Sequence, residues 1–438
     1  MSDKNLLTLP QAIAYCISDI IGSGIFISPT GILKYSGTSY LSLIIWILSG
    51  IISFFGALIY IEFATIVKKS GGDFAYLTFV GWKPIATSFY FVGSILTYSS
   101  ILAIQTSAIG YYLSDGILSF LTYKPENLSV IRILLGYCIL IPTIFLNFFS
   151  LRKSAGRFQL IATFIKVLIV IFVIGNGAVY LARFGTKNGG FNETFYNKNS
   201  TVEVGNPRRT LPIATFIGLI VATVVYVCMN SAYFLVLSTA EFKSTETVVT
   251  LFFEKSISPS FSYVVPFLIT FILIGSLNAT IFGASRYLFV GSRAGLMPSA
   301  FSTLHSSKSP RVAVFAQLIL SIIMSFIGNL NDLINYVSYA ISLQQITVLF
   351  ALFYFRFKND APKNSWRNPW FVLIIYLFNF FIAIYAIGLL ICGLIAHYII
   401  IRPKTLPLFL QILDRRLLII SQIIFDTESP IKNDNEQK

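Results

Sequence analysis

Gly22-Ser23-Gly24 breaks an apolar stretch, residues 17 to 30, that is otherwise of the kind that crosses a bilayer. Two glycines around a serine are poor helix formers, and unwound backbone at membrane depth survives only where protein or a water-filled cavity receives its N–H and C=O groups. The amides of Ser23, Gly24 and Ile25 would open a second half-helix, whose N-terminus suits a carboxylate. Carbonyls ending the first half, near Ile20 and Ile21, suit an ammonium group. Residues Ile20, Ile21, Gly22, Ser23, Gly24 and Ile25 therefore have the types and spacing to hold a small zwitterion; the same glycines also fit a close helix-helix contact. A second reactive position is Lys166, close to the middle of another apolar run, where an ionisable side chain is expensive and by default functional. Its ammonium can do what a sodium ion would do, donating to backbone carbonyls and bracing the broken helix against a neighbour. Asp19 lies three residues before Gly22, on roughly the same helix face. It either pairs with Lys166, attracts a cationic substrate, or sits hydrated in the cytoplasmic vestibule. Ser276 and Asn278 fall inside an apolar run, so the Asn278 sequon cannot be glycosylated and both side chains are expected to face the helix bundle. Glu62, near the inner end of the second run, reads as interfacial.

Those residues need helices to position them. With 55% hydrophobic residues, a mean hydropathy of +0.77 and only 11% charged residues, the chain reads as an all-α polytopic membrane protein. The N-terminal apolar run continues past Pro29 without a cleavage site, so it is the first crossing rather than a leader. The four cysteines (Cys16, Cys138, Cys228, Cys392) lie within apolar runs, away from any loop disulfide or metal-ligand spacing. No nucleophile elbow, Walker A loop or HExxH motif is present, so neither catalysis nor a bound cofactor or metal is expected. The +14 net charge comes from short basic loops beside the crossings, which orient the chain in the lipid bilayer and do not imply a nucleic-acid partner.

At about 20 apolar residues per crossing, the expected spans are 9–34, 40–66, 84–113, 131–150, 156–183, 211–238, 263–290, 311–328, 332–355 and a long run at 370–401. Lys68, Lys69, Lys83, Arg152, Lys153 and Arg157 then lie inside, while sequons at Asn127, Asn192 and Asn199 lie outside. After the fifth span this order inverts. Arg208 and Arg209, and the basic loops that follow, are inside only if the chain crosses once more between 185 and 210, yet Thr186 to Pro212 is polar throughout. One transmembrane helix is therefore expected to be missing there. The organisation is helices one to five over 1–184, a polar connector over 185–210, helices seven to ten over 211–357, and a terminal membrane segment over 358–404. Residues 370–401 suit either one tilted crossing or two shortened ones. Residues 405–424 read as an amphipathic helix lying on the surface, and the last dozen residues as disordered.

Four segments resemble the L-type amino acid transporters, the light chains of heteromeric exchangers in the amino acid–polyamine–organocation superfamily. They are Ile20-Ile21-Gly22-Ser23-Gly24-Ile25-Phe26, Ser70-Gly71-Gly72-Asp73-Phe74-Ala75-Tyr76, Asn206-Pro207-Arg208-Arg209-Thr210-Leu211-Pro212, and the stretch from Ser285-Arg286-Tyr287 to Arg293-Ala294-Gly295. The resemblance implies a twelve-helix chain with a five-plus-five inverted repeat, sodium-independent amino acid exchange, and capture of the α-amino and α-carboxyl groups at broken helices one and six. Lys166 matches the family's fifth-helix lysine, which stands where sodium sits in sodium-coupled relatives. The helix missing by charge is the one that the family carries before its Asn-Pro-Arg-Arg segment. The loop at 114–130 also lacks the cysteine that joins such light chains to a heavy-chain glycoprotein, so that partner would be held without a covalent link.

The functional expectation is an amino acid exchanger of the plasma membrane working by alternating access. The alternative is a non-transporting isoform that acts as a membrane-embedded partner or sensor. A sodium-coupled symporter is disfavoured by Lys166.

Overall fold

A computed structural model describes residues 22, 24–36, 38–67, 71–121, 126–149, 156–184, 207–306, 309–327, 330–358, 373, 414, 416–420, 422, 424, 427 and 428. Where the sequence offers an uninterrupted apolar run the chain is helical: α1 (Gly24–Ser36), α2 (Ser39–Ile66), a short α3 (Gly72–Phe79) and α4 (Lys83–Leu118). These are followed by α5 (Leu128–Leu146), α6 (Gly156–Phe184), α7 (Pro207–Val236) and two short outer helices, α8 (Thr239–Ser244) and α9 (Val248–Ser256). The remaining helices are α10 (Val265–Arg293), α11 (Arg311–Ser325) and α12 (Leu330–Phe357). Among the described residues six helices are long and apolar enough to cross a membrane: α2, α4, α5, α6, α10 and most of α12. The expected crossings at 40–66 and 156–183 agree with α2 and α6 to within a residue or so. Helix α7 begins four residues ahead of the expected 211, because Pro207 at its first position needs no amide partner and has φ already set for a helix. The segments 1–21, 185–206 and 374–401 lie outside the described residues, and with them the first half of the broken crossing, the polar connector and nearly all of the long terminal run.

Apolar side chains divide between lipid and bundle by helical period. On α6, Gln159, Thr163, Lys166, Val170, Val173 and Gly177 are buried, while Phe164, Leu168, Ile171 and Phe172 are exposed. The spacing of three and four makes one seam of the helix polar and inward-facing. The central core unites α1, α4, α6, α7 and α10 through residues such as Phe26, Ile109, Val170, Tyr233 and Ile269. A second apolar cluster, Ile59, Phe63, Tyr76, Phe89, Leu349 and Leu352, joins α2, α3, α4 and α12.

Two local irregularities shape α4. Over Val92–Thr97 it widens into a π turn, a form that adds a residue to the helical repeat and leaves carbonyls without their usual partners. Gln317 of α11, fully buried, fills that gap: its Nε2 donates to the Ser94 carbonyl at 3.0 Å, and its Oε1 accepts from the Ser99 hydroxyl at 3.2 Å. Farther along, α4 crosses α5 so closely that a Cβ on Gly110 would stand 2.0 Å from the Arg132 carbonyl oxygen, and one on Gly136 would stand 2.4 Å from that of Thr106. Backbone cannot step aside as a side-chain tip can. Gly110→Ala is therefore expected to force the two helices apart and lower stability by about 1–3 kcal/mol, read as a lower melting temperature of the detergent-solubilised protein.

Of the last dozen residues, expected to be disordered, 427 and 428 are among the described residues and 429–438 lie outside them. Thr427 and Glu428 form a strand antiparallel to Leu304 and His305. Asp414 accepts from the Ser299 amide at 2.7 Å and its hydroxyl at 2.9 Å. Leu417, Ile419, Ile420 and Ile424 are exposed; residues 405–413 of the expected amphipathic stretch lie outside the described residues.

Candidate functional site

Helix α1 starts at Gly24, the last residue of the glycine-serine break, and Gly22 lies in a bend. The amides of the first turn, Gly24, Ile25 and Phe26, precede the first possible intrahelical acceptor pattern and point back toward the break. Pro29 inside α1 has no N–H to give the Ile25 carbonyl, so the first turn is loosened on its acceptor side as well. Ile25 and Phe26 are fully buried, which places these groups within the bundle and away from lipid.

Side chains from three directions hold this half-helix. The Tyr112 hydroxyl, from α4, donates to the Phe26 carbonyl at 2.9 Å, and Tyr112 is fully buried. The Tyr226 hydroxyl, from α7, pairs with the backbone of Gly22, and its ring packs 4.5 Å from that of Trp46. From outside, the Thr30 hydroxyl donates to the Thr245 carbonyl at 2.9 Å, and Lys34 pairs with Glu246 at 3.3 Å. Thr247 donates to Asp115 of α4, which also faces Arg132 of α5 at 3.6 Å. The break is thus a fixed element, with its backbone gripped at Gly22 and Phe26 and covered outside by the α8–α9 loop. Sequence reasoning did not single out Tyr112 or Tyr226. The signal available was a tyrosine inside an apolar run, whose hydroxyl must find a partner when buried.

Lys166 is fully buried, about 15 Å along α6 from its start at 1.5 Å per residue, and its Nζ donates to the Ser276 hydroxyl at 2.7 Å. The expectation that Ser276 and Asn278 turn inward agrees with their burial, at 1% and 0% exposure. Asn278 lies in a buried polar chain: it accepts from Asn147 Nδ2 at 2.9 Å and donates to Gln159 Oε1 at 2.7 Å. Lys166 and Gln159, seven residues apart on the inward seam of α6, thereby meet Ser276 and Asn278, two residues apart on α10. Asp19, Ile20, Ile21 and Ser23 lie outside the described residues; whether Lys166 reaches the first half of the broken helix concerns the same segment.

Glu62 lies four residues before the end of α2, and its side chain turns into the protein. Its carboxylate is 1% exposed and receives both Nε and Nη2 of Arg356, with Nε at 2.8 Å, so that α2 and α12 are joined by a forked, buried ion pair. Nothing in the neighbourhood of Glu62 along the chain announces an arginine almost three hundred residues away.

The sequence pattern of the amino acid permease family matches residues 7–205 and again 193–400. The chain belongs to the amino acid permease family. It is 33% identical to "Amino acid transporter protein 6" of Caenorhabditis elegans over 446 aligned positions, covering 93% of this chain and 84% of that one. It is 30% identical to the human "Cystine/glutamate transporter" over 461 positions, covering 97% and 90%. It is likewise 30% identical to the mouse "b(0,+)-type amino acid transporter 1" over 434 positions, covering 90% and 88%. The resemblance to L-type transporters, drawn from four short segments, agrees with these permease relatives, which span most of the chain. As a permease with several membrane-crossing helices, this is a multi-pass membrane protein.

Proposed function

We propose that this permease moves amino acids across the membrane by sodium-independent exchange. The observation that carries the reading is the start of α1 at Gly24, a helix N-terminus buried in the bundle directly after a clamped bend. In this reading the substrate carboxylate is received by the amides of Ser23, Gly24 and Ile25, and its ammonium by the carbonyls of Ile20 and Ile21, with Gly22 between them. In this reading Lys166 takes the place of a sodium ion and ties α6 to α10 through Ser276. Alternating access follows from movement of the half-helices around a site that remains fixed in the bundle. A heavy-chain glycoprotein, where it associates, does so without a disulfide, since no cysteine occurs between 114 and 130.

A second reading is favoured by a separate observation. The family pattern restarts over 193–205, and the alignments to the worm and human relatives run to 446 and 461 positions against a chain of 438, so those relatives carry residues without a counterpart here. This supports loss of the sixth helix within the connector at 185–210, and with it one wall of the cage. A chain so shortened would act as a membrane-embedded partner or sensor.

Countertransport separates the two. Proteoliposomes loaded with radiolabelled leucine or lysine are expected to release label when unlabelled amino acid is added outside, equally in sodium and in choline. No stimulated release from correctly folded protein would overturn the exchanger and leave the second reading; release only in sodium would overturn the role given to Lys166.

A further inference from the structure

We propose that Asp73, together with Tyr60, Gln344 and Tyr287, forms a proton-binding site at the inner junction of α2, α3, α10 and α12, and that the bound proton holds α3 packed there. The geometry begins with the Gly71-Gly72 turn. Both glycines have positive φ, +130° and +51°, and a Cβ on Gly71 would stand 3.2 Å from a Val290 methyl. The turn opens α3 and carries Asp73, in its first turn, into the junction.

There Asp73 is half-buried, with its Oδ1 shielded from water and the few groups around it uncharged. Tyr60 of α2 and Gln344 of α12 donate to it, and both donors are neutral. Its Oδ1 is buried without a partner, and the Tyr287 hydroxyl of α10 faces the same Gln344. The surroundings are aromatic and apolar. Tyr76 of α3 stacks on Phe63 at 5.1 Å, Tyr287 lies 5.2 Å from Tyr90 and 5.3 Å from Tyr98 of α4, and Leu77 and Leu349 are fully buried. The nearest charges along the packed elements are engaged elsewhere. Glu62 and Arg356 form their own ion pair, and Arg286 lies 4.3 Å over the Phe282 ring.

A carboxylate with two neutral donors and one vacant oxygen is better satisfied as the acid, whose O–H can donate, than as the ion. Burial accordingly pushes the Asp73 carboxyl up from 3.8 to about 6. An acid group raised in the packed state stabilises that state at low pH, and the stabilisation is lost as pH rises from the ordinary value through the raised one. Between about pH 4 and about pH 6, the balance should move about tenfold per pH unit toward a state in which α3 separates and the carboxylate is hydrated.

The test needs no transport, so it stands apart from the substrate reading. The full chain in lipid nanodiscs is followed by amide hydrogen exchange over residues 72–79, corrected for the intrinsic pH dependence of exchange. The wild type is expected to exchange about tenfold faster per unit between about pH 4.5 and about pH 6 and then to level off. Asp73→Asn, which keeps the shape of the protonated acid, is expected to remain slow and flat. Infrared difference spectra give the second reading: a protonated-carboxyl band that titrates near pH 6 in the wild type and is missing in Asp73→Asn. A flat wild-type profile, the same profile in the variant, or no such band overturns the proposal.

Discussion

Lys166→Met is expected to lower exchange activity sharply while leaving a folded protein. Methionine nearly matches the volume of the lysine stem and suits the apolar upper half of the α6 seam, but it cannot donate to the Ser276 hydroxyl, which now receives Lys166 Nζ at 2.7 Å. A hydrogen bond from a charged donor in a fully buried setting is worth about 1.5–3 kcal/mol, so initial rates of countertransport should fall about 10- to 150-fold. Lys166→Arg should not restore them, because a planar fork cannot occupy the position of a compact ammonium on a residue with no exposed surface. Initial rates over a range of substrate concentration, with size-exclusion profiles for folding, check this result. Wild-type rates in Lys166→Met would remove the lysine from the mechanism altogether.

Glu62→Ala acts on stability. It strands Arg356, whose side chain is 7% exposed, without the carboxylate that now takes both its Nε and Nη2. Removing one member of a buried ion pair costs about 3–5 kcal/mol, a large part of the stability of most domains. The variant should show a sharply lowered melting temperature or fail to accumulate. The double change Glu62→Met with Arg356→Met removes both charges and should recover most of the loss, since the pair offsets its own desolvation only in part. Thermal melts of the purified proteins distinguish these outcomes; a single variant as stable as the wild type would mean that water reaches the pair.

Much of the architecture was readable because it depends on short stretches of chain. Apolar runs of membrane length became α2, α5 and α6 close to their expected limits, since a helix is the local solution to a backbone that water cannot reach. The start of α1 at Gly24 is likewise local, following from two glycines around a serine. The direction of Lys166 lay in its spacing from Gln159 and Thr163, which share its face of α6. Departures arose where distant segments meet. Gln317 of α11 donates into the π turn at Val92–Thr97, and the two short strands bring Leu304 and His305 to Thr427 and Glu428.

By itself the sequence determined that this is a multi-pass helical membrane protein, where most of its described long helices run, and that the backbone is interrupted at Gly22 just before the helix that begins at Gly24; hydropathy and backbone propensity act over one or two helical turns. Only the tertiary structure decided which groups grip that interruption, that Lys166 meets Ser276, that Glu62 is buried against Arg356, and that Asp73 is carried into an apolar junction. Each of those pairs partners from different helices, and burial and hydrogen bonding depend on distances that helix packing fixes.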